Sequence, residues 1–300
     1  MRGFVPRMNV LLLGATGMLG KALYRTAKSR NHSVTGVARS GTDISVDIRN
    51  ERELRELIID QNPEILINTV AITNLDYCER NPQEAYLINT HPLSFITELA
   101  NEQGIYLIQI STDHFYLGNG SKLHDENSPV TLVNEYARTK YLAECLTRTY
   151  KKSLIVRTNI VGFRGIKENP TFIEWCIDML INKKPAILFN DFYTSSIDVG
   201  TFSEILFDIA DREITGLLNI SSRDVSSKKS FIEALAEELD LDTSHTTSGS
   251  VRKLHGVRRA ESLGLDVTKA ESILDYRMPG LHDVIEKIVT ENKWGPRYGM

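Results

Sequence analysis

Short apolar runs alternate along the chain with longer stretches whose apolar positions recur every three or four residues, and this alternation carries most of the fold. Val10-Leu11-Leu12-Leu13 reads as a strand buried on both faces, closed by Gly14. Residues 18–29 have helical spacing, and 33–38 predict a second strand. Asn50 is placed to cap a helix that carries Glu51 and Glu53 in its first turn and runs to Asp60. Strands are predicted at 65–67, 106–110 and 154–156, with helices over 84–102 and 136–150. Strand and helix in regular alternation predict an α/β fold, a Rossmann-type doubly wound parallel sheet covered on both faces.

After about Thr158 the rhythm weakens. Helices are expected over 172–181, 201–211, 229–239 and 281–290, short strands near 186–189 and 217–220, and a loop over the polar stretch 242–256. The implied division is a dinucleotide-binding domain over residues 8–160 and a smaller C-terminal lobe over 161–300. That lobe is expected to be mainly substrate-binding, with some segments returning to the first domain.

Composition narrows the function by exclusion. Of the 300 residues 41% are hydrophobic and 25% charged, an ordinary globular balance. The net charge of -4 comes with no clustered basic face, so no nucleic-acid partner is expected. Cys78, Cys145 and Cys176 are too sparse for a disulfide scaffold and form no ligand cluster with histidine, so no metal site is expected. No long apolar segment follows the first positive charges, and the run 10–13 is too short to span a bilayer. A cytoplasmic protein with no membrane partner is the expectation.

Gly14-Ala15-Thr16-Gly17-Met18-Leu19-Gly20 follows the first strand and opens the first helix. Glycines allow the tight turn and the close approach of backbone to a pyrophosphate, and the helix start offers free N–H groups to the anion. In that context the turn predicts a dinucleotide site, with Gly14, Thr16, Gly17, Met18, Leu19 and Gly20 in contact with cofactor. NAD-binding relatives of this fold carry an acid near the end of the second strand. Here Arg39 and Ser40 stand there, and a guanidinium suits a ribose phosphate, which favours NADP(H) while leaving NAD(H) open. Asp47 and Ile48 are placed to reach the adenine from the next loop.

Tyr136 and Lys140 lie four apart on a predicted helix and so share one face. A cation beside a phenol stabilises phenolate and suits it to acid–base work. Tyr24 and Lys28 have the same spacing, but they lie inside the helix after the glycine turn, away from the nicotinamide position. Tyr136 has the better context, because it follows a strand ending Ile110-Ser111-Thr112-Asp113 whose carboxyl end should face the ligand crevice. The Thr112 hydroxyl can orient a substrate carbonyl there.

Thr112, Tyr136 and Lys140 resemble the Ser/Thr–Tyr–Lys triad of short-chain dehydrogenases. Residues 108–113 (IQISTD), Asn68-Thr69-Val70-Ala71, Leu75-Asp76-Tyr77-Cys78-Glu79, Ile88-Asn89, Arg157-Thr158 and Leu265-Asp266-Val267-Thr268-Lys269 appear in the order of the dTDP-4-dehydrorhamnose reductase family. The likeness is dense over residues 9–160 and thinner beyond. It implies NADPH-dependent reduction of a nucleotide-linked 4-keto-6-deoxy sugar for polysaccharide precursors, catalysed by Thr112, Tyr136 and Lys140. It adds Asn68, Val70, Ala71 and Asn89 to the cofactor contacts, and Thr112, Asp113 and His114 to the substrate contacts; from their own chemistry, Trp175 could stack on a substrate ring and Arg258 could meet its diphosphate. A homodimer follows by family analogy.

Three positions depart from the family pattern. His114 replaces the usual tyrosine, 192–196 (FYTSS) lacks a proline, and Arg259 is followed by Ala260 rather than proline. Two alternatives accompany the reductase reading. One is an epimerase or dehydratase of the same extended fold, although Asp113 is followed by His114 and not by a second acid. The other is a non-catalytic NADP-binding subunit resembling the regulatory subunit of methionine adenosyltransferase.

Overall fold

The structure, a computed structural model, describes residues 7–294. The chain forms two compact units. The first contains the residues up to Thr112, then Leu132–Arg157 and Ser203–Leu218; the second contains Asp113–Thr131, Thr158–Phe202 and the chain from Asn219 onward.

In the first unit the order is β1 (Asn9–Leu13), α1 (Met18–Ser29), β2 (Ser33–Ala38), β3 (Ile44–Ser45), α2 (Glu51–Gln61), β4 (Ile65–Asn68), α3 (Leu75–Arg80), α4 (Pro82–Asn89), α5 (Pro92–Gln103) and β5 (Tyr106–Ile110). After an excursion that contains β6 (Leu123–His124), the chain returns as α6 (Glu135–Thr147) and β7 (Ser153–Arg157). The sheet has seven strands in the order Gly216–Asn219, β7, β5, β4, β1, β2, β3. β1 pairs in parallel with β2 on one side and β4 on the other, Leu13 lying opposite Val37 and Asn68. The strand order therefore reverses between β1 and β4, and the carboxyl ends of these strands frame the switch-point crevice of a doubly wound sheet.

β5 is buried at every position, and Val10 to Leu13 are at most 2% exposed. Helices cover both faces of such strands, which is why they read as continuous apolar runs. One layer of the core joins Leu11, Leu13, Leu54, Ile58, Phe95 and Leu107. α2 starts where Asn50 Oδ1 accepts the Glu53 N–H at 3.3 Å and ends at Asn62 in the left-handed region.

The expected helix over 84–102 is two helices. It breaks at Thr90–His91, where Pro92 starts α5 without an N–H to continue the ladder of α4, and the Thr90 hydroxyl donates to the Thr139 carbonyl at 2.8 Å. Residues 113–131, inside the span expected for the dinucleotide domain, belong to the second unit. Their backbone bonds lie there: Thr131 N donates to Phe115 O at 2.7 Å, and β6 pairs in parallel with Ser262–Leu265. The expected loop over 242–256 contains a strand, Thr246–Gly249, paired in parallel with Ala186–Phe189. Its exposed Thr247 and Ser248 hide the alternation by which a strand is read.

The second unit holds a four-stranded sheet in the order Ser226–Ser227, Tyr193–Thr194, Ser262–Leu265, β6. Helices Phe172–Ile181, Lys228–Glu238 and Leu281–Trp294 enclose a core of Ile173, Ile177, Leu180, Phe231, Leu235 and Ile288. Among the described residues no helix is long and apolar enough to cross a membrane. No group of three or more His, Cys, Asp or Glu among them is placed to hold a metal ion.

Candidate active site

The glycine turn is cut to the backbone. Gly14 has φ +88°, a left-handed conformation, and its N–H donates to Val37 O at 2.8 Å. A Cβ on Gly20 would lie 2.1 Å from the Gly14 carbonyl oxygen, so α1 rests directly on the turn. Gly17 caps α1 without any side-chain hydrogen bond to the helix, which leaves the first N–H groups for an external anion. Thr16, Met18 and Leu19 are half-buried along this turn.

Arg39 and Ser40 are exposed just beyond β2. The loop residues after β3 have other partners. The Asp47 carboxylate takes Nε and Nη2 of Arg49 at 3.0 and 2.6 Å, and this bonding holds it below the usual carboxylate range. Ile48 turns its side chain into the core beside Leu54 and Leu57. The Tyr24–Lys28 pair is spent on packing: Lys28 lies over the Tyr24 ring at 5.6 Å, and the Tyr24 hydroxyl donates to Asp43 at 3.3 Å.

After β4, Asn68 is buried, and its side chain shapes the crevice from within. Its Nδ2 donates to Gln109 Oε1 at 2.8 Å, and its Oδ1 accepts the Val70 N–H at 3.1 Å. Val70 and Ala71 stay half-buried on the loop that follows. Asn89 ties that loop to α6. It accepts from Ile72 N at 2.7 Å and donates to Ile72 O and Thr139 Oγ1, each at 3.1 Å. Asn89 therefore supports the crevice loop through its amide.

α6 brings Tyr136 and Lys140 to the end of β5. Asn134 caps the helix by accepting the Ala137 N–H at 2.9 Å, and Glu79 of α3 accepts the Glu135 N–H at 3.0 Å. Tyr136 is 7% exposed and Lys140 3%. The Lys140 ammonium donates to the Ile110 carbonyl at 2.7 Å, two residues before the buried Thr112. Burial pulls this ammonium down to about 8, and the nearby Glu144 carboxylate opposes the fall. The predicted triad thus lies within one unit, with Lys140 fastened to the last residue of β5, two residues before Thr112.

Glu144, which sequence reasoning passed over, is buried beneath this group. It accepts Ser111 Oγ at 2.7 Å and both Nε and Nη2 of Arg157, at 2.9 and 2.7 Å. The available signal was its position, one helical turn past Lys140 on the same face.

Asp113, His114, Trp175 and Arg258 belong to the second unit. Asp113 is buried and accepts from Asn159 Nδ2 at 2.7 Å; Asn159 in turn accepts from Ser196 at 2.8 Å, so the proline-free segment helps hold this carboxylate. His114 Nε2 lies 4.0 Å from Asp113, yet burial and the charges of Lys228 and Arg259 press the ring down to about 4, so it is neutral near pH 7. Lys228, also missed from sequence, lies 4.1 Å from the Phe172 ring centre. Its ammonium is drawn to about 8 by burial, against the pull of Asp113. Trp175 is 41% exposed and stacks on Phe172 at 6.4 Å. Arg258 lines a cavity of about 540 Å³ with Arg252, Arg259, Leu117, Gly118 and Glu261.

A doubly wound sheet with a glycine turn at its switch point, and a Tyr-x-x-x-Lys helix fastened to the end of β5, defines a Rossmann-fold protein of the short-chain dehydrogenase class. The chain belongs to the RmlD substrate binding domain family, which it matches over residues 8–293. It is 30% identical to dTDP-4-dehydrorhamnose reductase of Escherichia coli, covering 71% of this chain and 69% of that one. It is 25% identical to methionine adenosyltransferase 2 subunit beta of Xenopus laevis, over 97% and 91% of the two chains. The fold matches the crystal structure of dTDP-4-dehydrorhamnose reductase from Bacillus anthracis in complex with NADP. The TM-score is 0.86, with 20% identity over 95% of this chain and all of that one.

Proposed function

We propose that this protein is an NADP(H)-dependent ketoreductase acting on a nucleotide-linked 4-keto-6-deoxy sugar, with NAD(H) as a weaker alternative cofactor. The observation that carries the reading is the buried Lys140 ammonium, held by the Ile110 carbonyl one helical turn from Tyr136 and two residues from Thr112. The Ile110 carbonyl and the nearby Glu144 carboxylate offset part of the cost of desolvating this cation, and a cation so held can stabilise the phenolate of a phenol that passes a proton. The names of the E. coli and B. anthracis relatives support the substrate class.

The glycine turn suits a dinucleotide, because the contacts that a Cβ would block at Gly14 and Gly20 keep the backbone close to the helix start. Gly14, Thr16, Gly17, Met18 and Leu19 would hold the pyrophosphate, Gly20 would keep α1 against the turn, and Arg39 with Ser40 would meet the ribose phosphate. Asn68, Val70 and Ala71 would line the nicotinamide side. NADPH held there would supply the hydride for the reduction. Tyr136 donates its phenolic proton to the carbonyl oxygen. Lys140 stabilises the phenolate that remains, and the Thr112 hydroxyl orients the carbonyl. Asp113, His114, Trp175 and Arg258 would be the substrate contacts.

The test is loss of NADPH absorbance on mixing with enzymatically generated dTDP-4-keto-L-rhamnose. Tyr136→Phe is expected to lower kcat by roughly 10²–10⁴-fold with NADPH affinity retained. Full turnover in that variant refutes the acid–base assignment. The likeness to the adenosyltransferase subunit supports a second reading as a binding subunit. NADPH binding without turnover of any keto-sugar, together with co-purification of a synthetase, would favour it.

A further inference from the structure

Lys140 shares its face of α6 with Glu144, a carboxylate with no solvent exposure. Oε1 of Glu144 accepts from Ser111 Oγ at 2.7 Å and from Arg157 Nε at 2.9 Å. Oε2 accepts from Arg157 Nη2 at 2.7 Å and Arg148 Nη2 at 2.9 Å. These bonds join three elements. α6 carries Tyr136 and Lys140, the residue after β5 is Ser111 with Thr112 next, and Arg157 ends β7. Ser111 is held from a second side as well, its N–H donating to Val156 O at 2.7 Å.

A buried ion pair gains little net stability over an apolar pair of equal volume, because both charges are stripped of water. What a two-pronged guanidinium–carboxylate pair supplies is geometry, since both prongs must align at once. Here the geometry fixed is that of the helix bearing the proton donor relative to the strand ends bearing Thr112. We propose that Glu144 is a positioning residue for the Tyr136–Lys140 pair, clamping α6 to Ser111 and Arg157 so that Tyr136, Lys140 and Thr112 keep one mutual arrangement. This rests on the acid–base reading of those three residues.

Among the described residues the charged and titratable groups around the cluster include Tyr136, Lys140 and Glu144 of α6, Arg148 at its C-terminal cap, Arg157 of β7, and Glu79 of α3 at the first turn of α6. α4 ends in Asn89, and Thr90 lies just before α5; both meet α6 through uncharged bonds to Thr139. Glu144 is the charge that opposes the effect of burial on Lys140.

The test pairs two variants. Glu144→Met with Arg157→Met removes both charges and leaves neither orphaned, and Ser111→Ala cuts only the serine link. Melting temperature and NADPH fluorescence establish that each is folded and binds cofactor. With dTDP-4-keto-L-rhamnose as substrate, kcat is expected to fall about 10- to 100-fold in the double variant and roughly tenfold in Ser111→Ala, at little change in KM for NADPH. A substrate-independent reading comes from the ¹³Cε resonance of Lys140, assigned by its loss in Lys140→Met. It should titrate at lower pH in Glu144→Gln, which removes the opposing charge alone.

A folded Glu144→Gln protein with an unmoved Lys140 titration overturns the proposal whether or not substrate is turned over, as does wild-type kcat in both the double variant and Ser111→Ala. If the double variant does not fold, kcat of Ser111→Ala decides. Wild-type activity in Lys140→Met instead removes the acid–base reading, and the titration alone then judges the clamp.

Discussion

Replacing Gly20 by alanine strikes the phosphate loop where its packing is tightest. The new Cβ would lie 2.1 Å from Gly14 O and 2.8 Å from both Gly14 C and Ala15 Cα. All three are backbone atoms of the turn, so no side chain can rotate away. Ordinary contact begins near 3.4 Å, so the first turn of α1 must retreat by roughly 1.3 Å. Overpacking of this kind costs about 1–3 kcal/mol, and at roughly 2–4 °C per kcal/mol for a protein of this size Tm falls by about 2–12 °C. The same retreat carries the α1 N–H groups out of hydrogen-bond range of a bound phosphate. Each charge-assisted bond lost is ~1.5–3 kcal/mol, so NADPH affinity should weaken about tenfold or more. Gly17→Ala is the control for stability: its φ is -69° and its Cβ would meet Gly14 O at 3.3 Å, so Tm should hold. Thermal melts and NADPH fluorescence titrations measure both quantities. A Gly20→Ala protein with wild-type Tm and wild-type NADPH affinity would refute the claim that this turn is a backbone-packed phosphate cradle.

Three further outcomes are expected. Lys140 loses its proton near pH 8, so kcat/KM for the reduction should decline as pH rises through about 8; a flat profile to about pH 9 contradicts its role. His114 has a folded pKa of about 4, below its unfolded value, so the unfolded chain takes up a proton that the fold resists. Stability from this group is complete above about pH 6.5 and is lost as pH falls toward 4, and urea midpoints should show this slope reduced in His114→Tyr. Arg39→Ala should weaken NADPH binding about tenfold while leaving NADH binding unchanged, and an equal loss for both would place Arg39 away from the ribose phosphate.

The elements that were legible in the sequence share one property, which is that local pattern and tertiary environment agree. α1 and β2 appear at their predicted bounds because β2 buries Val34, Gly36 and Val37 and α1 presents one apolar stripe. The exposed strand at Thr246–Gly249 escaped because neither of its central side chains is buried. The break at Thr90–His91 was concealed by apolar spacing that continues across it, although Pro92 marks the restart. Residues 113–131 were assigned by sequence proximity to the first unit, whereas strand pairing to Ser262–Leu265 puts them in the second.

In the candidate site the same division holds at the level of single residues. Gly14, Gly17 and Gly20, the Tyr136–Lys140 spacing and the Arg39–Ser40 substitution are local facts, because a turn, a helix face and a strand end are set by neighbours within a few residues. Which tyrosine–lysine pair points at the crevice was decided by packing: Tyr24 is committed to Asp43, and Lys140 to the Ile110 carbonyl. That Ile48 enters the core and that Glu144, Arg157 and Ser111 meet under α6 came only from the tertiary structure, whereas the Asp47–Arg49 pair spans only two residues. Hydrogen-bond partners and desolvation depend on atoms brought together from distant parts of the chain. Periodicity along one segment indicates which face is buried, but not which distant groups meet it.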